Sequence, residues 1–466
     1  MKKIDYLEEY KVVLGYVGVL TMIIGFVTII PLFILVFFSN ESQYAIDFII
    51  PSIIALLFGY LLKRNIKLKE KYKLSVYQDA VIVVLTWLIA CFFSRIPWIL
   101  SKQLNFTQAY FESVSGWTTT GLSVIVPEKT PNIFLFHRSV NLFFGGVGLI
   151  LVMVSALSAT FGLRLYNSEG HSDRLLPNLL KSSRLIILIY LGYITSGAIL
   201  YNFYGMNWFH ALNISIAAVS TGGFGLTANS IGDYKSLPIE LITIILMILG
   251  STNFAANILL FRKESFRNFF RQSEGKFSLI IYGIFIPLLT FSSLKLLYES
   301  INETFRISLF QAVSALTTTG FSTVSFNNWP PFSVLVLIVL MIIGGGTNST
   351  AGGMKQYRVY LMFKNFIWEL RKRFKSNNLV NEDFYIKPDG KTFINPLHIL
   401  EATNYSFIYI VCLSIGTMIL TLNGYSLQNS LFEFSSALGT VGLSMGVTTP
   451  DTSKIVLWTE IIGMLF

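Results

Sequence analysis

Four short segments of this chain share an arrangement of residues that could bind a dehydrated cation. Each segment has eight mostly apolar or small residues, then three mostly small or hydroxyl-bearing residues, then a glycine. The four sequences are YFESVSGWTTTG, LNISIAAVSTGG, LFQAVSALTTTG and LFEFSSALGTVG, and they end at Gly121, Gly223, Gly320 and Gly442. One such segment is typical of an ordinary helix end, where glycine takes a left-handed conformation. Four copies indicate instead a repeated site.

The chemistry that suits these residue types is the coordination of a monovalent cation. Glycine permits a backbone turn that exposes carbonyl oxygens, and threonine hydroxyls add oxygen ligands without charge. The ends of the four segments contain no Asp or Glu, whereas calcium and magnesium sites usually include carboxylates. The segments therefore favour a dehydrated monovalent cation over a divalent one.

The elements that must position these segments are membrane helices. The chain has 466 residues, of which 53% are hydrophobic and 13% are charged, and its mean hydropathy is +0.62. The apolar residues occur in blocks of about 20, which excludes a soluble protein and also an outer-membrane barrel with its segments of about 10. The net charge of +10 lies in a few loops, so it indicates membrane orientation rather than nucleic-acid binding.

Two apolar runs, at about 12–38 and 46–62, precede the first segment. The first run is too long for a signal peptide, so we interpret it as a retained helix. The loop at 63–73 has six basic residues and one acidic residue. Because cytoplasmic loops are enriched in Lys and Arg, this loop and the N-terminus are both predicted to be cytoplasmic.

The rest of the chain consists of four similar units, each with an outer helix, a short re-entrant helix, the threonine–glycine segment and an inner helix. A helix of about 12 residues cannot cross about 30 Å of hydrocarbon, so it must enter the membrane and stop. The short helices are predicted at 106–117, 208–219, 305–316 and 427–438. The predicted domains are an N-terminal pair of helices at 1–73 and repeats at 74–176, 177–273, 274–377 and 378–466.

Charge predicts how these units are oriented. Basic residues cluster between units, whereas the loops beside the threonine–glycine segments are short and nearly neutral or acidic. All four segments are therefore predicted to enter from the outer side, which makes the repeats parallel. The predicted fold is an all-α polytopic membrane protein, in which two N-terminal helices and four parallel repeats give ten spans around a pseudo-fourfold pore. The last run, from Lys454, is shorter than a span, and we expect that helix to be incomplete.

This fourfold pattern resembles the Trk/Ktr/HKT superfamily of potassium transporters, over about 74–466. The two leading helices make the chain more similar to the TrkH branch than to the KtrB branch. The resemblance implies a homodimeric potassium-translocating subunit of the bacterial cytoplasmic membrane, with potassium ions in its pore, no cofactor, and a cytosolic nucleotide-binding ring resembling TrkA as its partner. A sodium-dependent transporter like KtrB and a non-selective monovalent cation channel stay open as alternatives.

The resemblance also implies which residues bind potassium. By position, they are the two residues before each glycine: Thr119, Thr120, Thr221, Gly222, Thr318, Thr319, Thr440 and Val441. In plant relatives a serine at the first glycine position is associated with sodium passage, so Gly121 implies potassium.

A glycine-rich stretch interrupts the apolar run of the third inner helix. It consists of Gly344, Gly345, Gly346, Thr347, Asn348, Ser349, Thr350, Ala351, Gly352 and Gly353. A regular helix would be costly with so many glycines, although a stripe of small residues for close helix packing is the alternative. We expect an intramembrane loop below the filter that acts as a gate, as the resemblance also implies. The second unit has only a weaker form of this pattern, so we expect only the third inner helix to be broken.

Three inner-helix charges lie at similar depths in different units. Arg138 is 17 residues after Gly121, Glu240 is 17 after Gly223, and Glu460 is 18 after Gly442. A charge inside a membrane is costly unless it is paired. We therefore expect an ion pair between Arg138 and Glu240 or Glu460 across a unit boundary, although Arg138 could instead reach the outer headgroups.

Three polar side chains, Glu112, Gln311 and Glu433, share one register on the short helices. They could brace the filter, attract cations or face solvent. An enzyme within the membrane is not expected, because the chain lacks a pair of intramembrane aspartates and a His-x-x-x-His motif.

Overall fold

The computed structural model of the protein describes residues 6–64, 76–148, 179–260, 271–292, 294–298, 300–374, 384–388 and 390–466. Most of the predicted basic loop at 63–73 and the predicted continuation of the first inner helix toward residue 160 lie outside these ranges. The described chain forms two compact units, Met1–Thr119 with Ser123–Gly192 and Thr120–Leu122 with Tyr193–Phe466. The first threonine–glycine segment therefore contributes three residues to the second unit.

The fold is helical and suited to a membrane, as predicted. Six helical stretches among the described residues are long and apolar enough to cross a membrane: Tyr10–Val36, Ser39–Arg64, Tyr77–Leu100, Ser183–Phe203, Ser273–Phe291 and Pro396–Leu422. A seventh is the bent pair Leu237–Ser251 and Phe254–Leu260. The total of ten spans stays a prediction, because the other inner helices are shorter or run out of the described ranges.

The N-terminal pair of helices crosses at two glycines. Helix Tyr6–Ile29 continues through 3-10 turns at Ile30–Val36 and Ser39–Tyr44 into helix Ala45–Arg64. A Cβ atom on Gly18 or on Gly59 would lie under 3.0 Å from the carbonyl oxygen of the other glycine. The two backbones can therefore approach closely only because both residues lack a side chain.

A buried carboxylate ties this pair to the first inner helix, Asn132–Val147. Glu41 is 7% exposed, and its two carboxylate oxygens accept hydrogen bonds from the N–H groups of Asn132 and Ile133, each at 2.8 Å. The first N–H groups of a helix have no partner within the helix, and a negative charge there also interacts favourably with the helix dipole. Glu41 therefore acts as a helix cap supplied from another part of the chain.

The four short helices are Phe106–Trp117, Trp208–Val219, Ile301–Leu316 and Leu427–Leu438. Three of them have the predicted bounds, and the third begins four residues before the predicted residue 305. Asn105, Asn207 and Ser426 accept hydrogen bonds from backbone N–H groups at the starts of three of these helices. Such caps explain why the helices begin so sharply at these residues.

Longer helices precede each short helix. They are Val76–Ser94 with Ile96–Leu100, Leu179–Phe203, Ser273–Ser292 and Pro396–Leu422. A two-stranded antiparallel hairpin, Phe384–Lys387 with Gly390–Phe393, was not predicted. It contacts the start of the third outer helix through a 3.0 Å hydrogen bond from Ile386 N to Ser273 Oγ.

The second inner helix is broken, which corrects the expectation that only the third would be. The helix bends by 119° between its two parts, Leu237–Ser251 and Phe254–Leu260. Asn253 and Asn257 satisfy the freed backbone groups, since Asn253 Oδ1 accepts from Ala255 N at 2.8 Å and Asn257 Nδ2 donates to Leu249 O at 3.0 Å. Asparagine side chains here replace the glycines that the prediction required, because they supply the missing hydrogen bonds.

The third inner helix is interrupted where predicted, between Pro331–Ile343 and Gln356–Phe374. The fourth inner helix is Lys454–Leu465. Beside the third and fourth short helices, the buried side chains of Leu316, Leu337 and Phe432 belong to one continuous apolar core. This core fixes the position of the segments that follow those two helices.

Replacing Glu41 with alanine should lower the melting temperature of the detergent-solubilised protein, because two N–H groups of the first inner helix would lose their acceptor. We expect a loss of about 1–3 kcal/mol in unfolding free energy. The matched control is Glu401→Ala, since Glu401 is exposed. Equal melting temperatures for the two variants would contradict a capping role for Glu41.

Candidate cation filter and gate

The four threonine–glycine segments have the same unusual backbone conformation. A threonine stands two residues before each filter glycine, and its φ angle is 53° at Thr119, 51° at Thr221, 51° at Thr318 and 47° at Thr440. Positive φ angles disfavour β-branched residues because the Cβ atom crowds the backbone. Such conformations persist only where surrounding contacts hold them, and they cluster at functional sites.

Amide groups of these segments bond back to the preceding short helix. Before the last three filter glycines, Gly222 N donates to Ala217 O (2.9 Å), Thr319 N to Ser314 O (3.0 Å) and Val441 N to Ser436 O (2.8 Å). Among the described residues, no backbone N–H group donates to the carbonyl oxygen of Gly222, Thr319 or Val441. A buried carbonyl without a partner is costly, and a bound cation could supply the missing interaction.

The filter glycines link the four segments into a closed ring. A Cβ atom built on each glycine would lie under 3.0 Å from the carbonyl oxygen of the residue before the next filter glycine. The contacts run from Gly121 to Gly222, from Gly223 to Thr319, from Gly320 to Val441 and from Gly442 back to Thr120. All four glycines also have positive φ angles, of 89°, 58°, 86° and 93° in chain order. Two separate constraints therefore require glycine at each position.

In the first repeat, a buried carboxylate holds the chain that follows the glycine. Glu112 is 1% exposed, and it accepts hydrogen bonds from Ser123 Oγ at 3.0 Å and from Val124 N at 3.1 Å. Its charge is compensated by Arg138, whose Nε lies 2.9 Å from Glu112 Oε1. Glu112 thus braces the residues that follow Gly121.

Side chains at the same position of the third and fourth short helices brace those repeats. Glu433 is 0% exposed, and it accepts from Ser444 Oγ at 2.6 Å and from Met445 N at 3.0 Å. Gln311 Nε2 donates to Thr323 Oγ1 at 3.3 Å. Of the three roles left open for this register, the burial of these side chains excludes the solvent-facing one, and their hydrogen bonds favour bracing.

The expected ion pair between Arg138 and Glu240 or Glu460 is wrong. Arg138 pairs with Glu112 of its own repeat, Glu240 pairs with Arg306 at 3.1 Å, and Glu460 Oε1 lies 3.1 Å from Thr448 Oγ1. Equal spacing from the glycines did not predict the partner, because a short helix offers a closer polar group to Arg138 and to Glu240, and the loop after Gly442 offers one to Glu460. The alternative that Arg138 reaches the headgroups also fails, since its side chain is only 3% exposed.

The interruption of the third inner helix is a compact turn that glycines make possible. Gly344 and Gly353 have φ angles of 72° and 73°, and a Cβ atom on either would collide with the backbone of the opposite end of the turn. Glu274 anchors the loop, because its Oε1 accepts from Thr347 N at 3.1 Å and from Thr347 Oγ1 at 2.7 Å. The Lys355 ammonium group donates to the carbonyl oxygen of Ala351.

This loop also contacts the filter threonines. Gly352 N donates to Thr318 Oγ1 at 2.6 Å, and the hydroxyls of Thr221 and Thr350 lie 3.0 Å apart. A Cβ atom on Gly352 would collide with Thr440 Oγ1. The loop therefore lies directly against three of the four threonines that have positive φ angles.

Sequence comparison assigns the family. The TrkH family, described as cation transport proteins, matches residues 43–465. The chain belongs to the TrkH family. A relative in this family, an uncharacterized cation transporter of Methanocaldococcus jannaschii, is 31% identical over 98% of this chain and 93% of the relative. The Trk system potassium uptake protein TrkH of Escherichia coli K12 is 28% identical over 98% of this chain and 96% of that protein.

A solved structure in the family has the same fold. The crystal structure of the potassium transporter TrkH from Vibrio parahaemolyticus superposes with a TM-score of 0.84 and 25% sequence identity, and the match covers 98% of this chain and 96% of that one. The protein with the present sequence is therefore a multi-pass membrane transporter and not an enzyme.

The sequence did not predict several of the structural features described above. The positive φ angles of the four threonines were not predicted, although the threonine two residues before each glycine is the one hydroxyl residue common to all four segments. The roles of Glu41 and Glu274 had no sequence signal, because each contacts backbone groups more than 70 residues away. The bracing role of Glu112 and Glu433 was one of the options that their shared register indicated.

Replacing Arg138 with methionine should strongly destabilise the protein, because Glu112 would be left buried without its counter-charge. Breaking such a pair costs about 3–5 kcal/mol. The double variant Arg138→Met, Glu112→Gln should recover part of the loss in melting temperature. Arg306→Met is the comparison, because it also leaves a buried carboxylate, that of Glu240, without its partner. It should cost less, since Arg306 is 46% exposed and water screens that pair. A double variant no more stable than Arg138→Met alone would show that the pair is not the source of the stabilisation.

Proposed function

We propose that this protein takes up potassium across the cytoplasmic membrane through a pore whose narrowest part is the ring of threonine–glycine segments. The closed ring of contacts from each filter glycine to the next segment is the observation that best supports this proposal. In the proposed filter, four backbone carbonyl groups, from Thr120, Gly222, Thr319 and Val441, surround one centre. Carbonyl oxygens arranged in this way replace the water shell of a cation.

In the proposed architecture, four parallel repeats surround the pore, and each short helix is a re-entrant pore helix. The C-terminal end of a helix has partial negative charge, so four such ends directed at one centre would favour a cation there. The two N-terminal helices precede the repeats in the chain, and the N-terminus is cytoplasmic. The match of the helix bounds to four repeated units supports this arrangement.

The proposed ligands are uncharged, which favours a monovalent cation over a divalent one. They are Thr119, Thr120, Thr221, Gly222, Thr318, Thr319, Thr440 and Val441, of which several offer both a carbonyl and a hydroxyl oxygen. The names of the relatives, potassium uptake protein and potassium transporter, support potassium as this cation. Equal uptake of sodium would favour a non-selective channel, and a requirement for sodium would favour a transporter like KtrB.

We propose further that the loop at 344–353 is the gate and that the protein acts as a homodimer with a cytosolic nucleotide-binding ring. The position of the loop against the filter threonines supports the gating role. The partners are supported by the resemblance to the superfamily and by the name of the relatives, which refers to a Trk system.

Changing a filter glycine to serine should reduce the preference for potassium over sodium, because the new Cβ atom must displace a carbonyl oxygen of the ring. Gly442→Ser is the sharpest case, since Gly424→Ser is a matched control. Gly442 and Gly424 have φ angles of 93° and 95°, but a Cβ atom on Gly424 meets nothing within 4 Å. Both variants therefore have the same backbone strain, and only one disturbs the ring.

The measurement is the ratio of potassium to sodium uptake by proteoliposomes at a clamped membrane potential. We expect a lower ratio for Gly442→Ser and for the corresponding variants of Gly121, Gly223 and Gly320, and an unchanged ratio for Gly424→Ser. If all four filter variants keep the wild-type ratio, the selectivity filter lies elsewhere.

Deleting Thr347 to Ala351 should raise the flux of potassium without changing the uptake ratio, because the deletion removes the obstruction and leaves the filter carbonyls in place. Flux is measured in the same proteoliposomes, after size-exclusion chromatography has verified that the variant is folded. A folded deletion variant with unchanged or lower flux would argue against this loop as the barrier.

A further inference from the structure

The gate loop and the filter share hydrogen-bonding groups at the inner end of the filter. In the proposed re-entrant arrangement, the C-terminal end of each short helix is its deepest part. The threonines with positive φ angles stand two residues after that end in every repeat. Their hydroxyl groups are therefore the last oxygen ligands that an inward-moving cation would meet.

Thr350 bonds to one of these threonines and to the bend of the second inner helix. Its hydroxyl group donates to Gly250 O at 2.9 Å and lies 3.0 Å from the hydroxyl of Thr221, which donates to it. The N–H group of Thr350 also donates to Gly250 O, at 3.3 Å. Thr350 is 8% exposed, so these are buried hydrogen bonds whose loss is costly.

Gly352 bonds to the next threonine around the ring. Its N–H group donates to Thr318 Oγ1 at 2.6 Å, which uses a lone pair that a cation at this depth would need. Glycine is required because a Cβ atom would collide with Thr440 Oγ1 and Gly439 O. The loop thus contacts the hydroxyl groups of Thr221, Thr318 and Thr440, and at Thr318 it occupies a lone pair that a cation there would use.

Space for the loop to leave this position exists on its other side. A cavity of about 200 Å³ is lined by Gly346 of the loop, Asn253 at the helix bend, and Gln272 and Glu274 at the start of the third outer helix. The loop could move toward this cavity without displacing the packed core. Release of the loop would then free the threonine hydroxyls.

From this geometry we propose that the closed gate loop and a potassium ion at the inner end of the filter compete for the same threonine hydroxyls, with Thr350 as the residue that positions the loop. This inference rests on the proposed function of the filter. By thermodynamic linkage, potassium at the inner site must weaken loop closure by the same factor by which loop closure weakens potassium binding there. The permeant ion would therefore favour the opening of its own gate.

The test measures how fast a cysteine placed in the loop reacts with a water-soluble thiol reagent. The full chain is used with Ser349→Cys in a background of Cys91→Ala and Cys412→Ala, which removes both natural cysteines. Rates are compared in potassium chloride, sodium chloride and choline chloride of equal ionic strength. We expect potassium to raise the rate several-fold over choline, and sodium to raise it less.

Variants at Thr350 and Thr347 show whether the contact between the loop and the filter threonines makes the reaction rate depend on potassium. Thr350→Val, which lacks the hydroxyl, should give a high rate that no longer depends on potassium, and Thr350→Ser should retain the dependence. Thr347→Val loosens the loop at Glu274, away from the filter, so its rate should rise in every salt but still respond to potassium. A merely structural role for Thr350 predicts the same behaviour for both valine variants.

Two results would overturn the competition. They are a wild-type rate that does not respond to potassium, and a Thr350→Val rate that responds as fully as the wild type. Potassium and sodium uptake by the Ser349→Cys protein is measured in parallel. Selective potassium uptake with a rate that ignores potassium would reject only the competition, whereas a failure to transport potassium would reject the proposed function itself.

Discussion

The close contact between each filter glycine and the carbonyl oxygen of the next segment leaves no room for a side chain at the glycine. A side chain at Gly121, Gly223, Gly320 or Gly442 would force that carbonyl out of the ring. With glycine at all four positions, the segments approach closely enough to form this closed ring of contacts. The N–H groups of Gly222, Thr319 and Val441 donate instead to carbonyl oxygens in the last turn of the preceding short helices.

The segments have a strained backbone, and hydrogen bonds to buried polar groups stabilise it. A threonine with a positive φ angle stands two residues before the glycine of every segment. After the glycines of the first and fourth segments, Glu112 and Glu433 accept hydrogen bonds from the residues that follow. A buried network of this kind rigidifies a structure only when its members are satisfied. Glu112 achieves this with Arg138, and Glu433 with the hydroxyl of Thr448 at 2.6 Å.

Repetition made much of this fold predictable from the sequence. The four aligned segments indicated the short helices, and three of these have the predicted bounds because Asn or Ser caps fix their starts. The break at 344–353 was predictable because glycine cannot sustain a helix there at ordinary cost. The break at Thr252 and Asn253 was not, since it depends on hydrogen bonds from asparagine side chains rather than on glycine.

Long-range partners were the part that sequence could not supply. Arg138, Glu240 and Glu460 have nearly equal spacing from their glycines, yet each contacts a different kind of group. Spacing along a repeat gives depth, whereas the partner depends on which neighbouring helix offers a polar atom at that depth. The contacts of the gate loop with Thr221 and Thr318 were hidden for the same reason, because they join residues 129 and 34 positions apart in the chain.

The central claim is that four carbonyl groups, from Thr120, Gly222, Thr319 and Val441, surround a cation. Anomalous diffraction from crystals grown with rubidium or thallium in place of potassium tests it most directly. A four-carbonyl site predicts an anomalous peak at the centre of these oxygens, and a peak that weakens when sodium replaces the heavier ion. Absence of a peak there, in crystals of protein that transports rubidium, would contradict the claim.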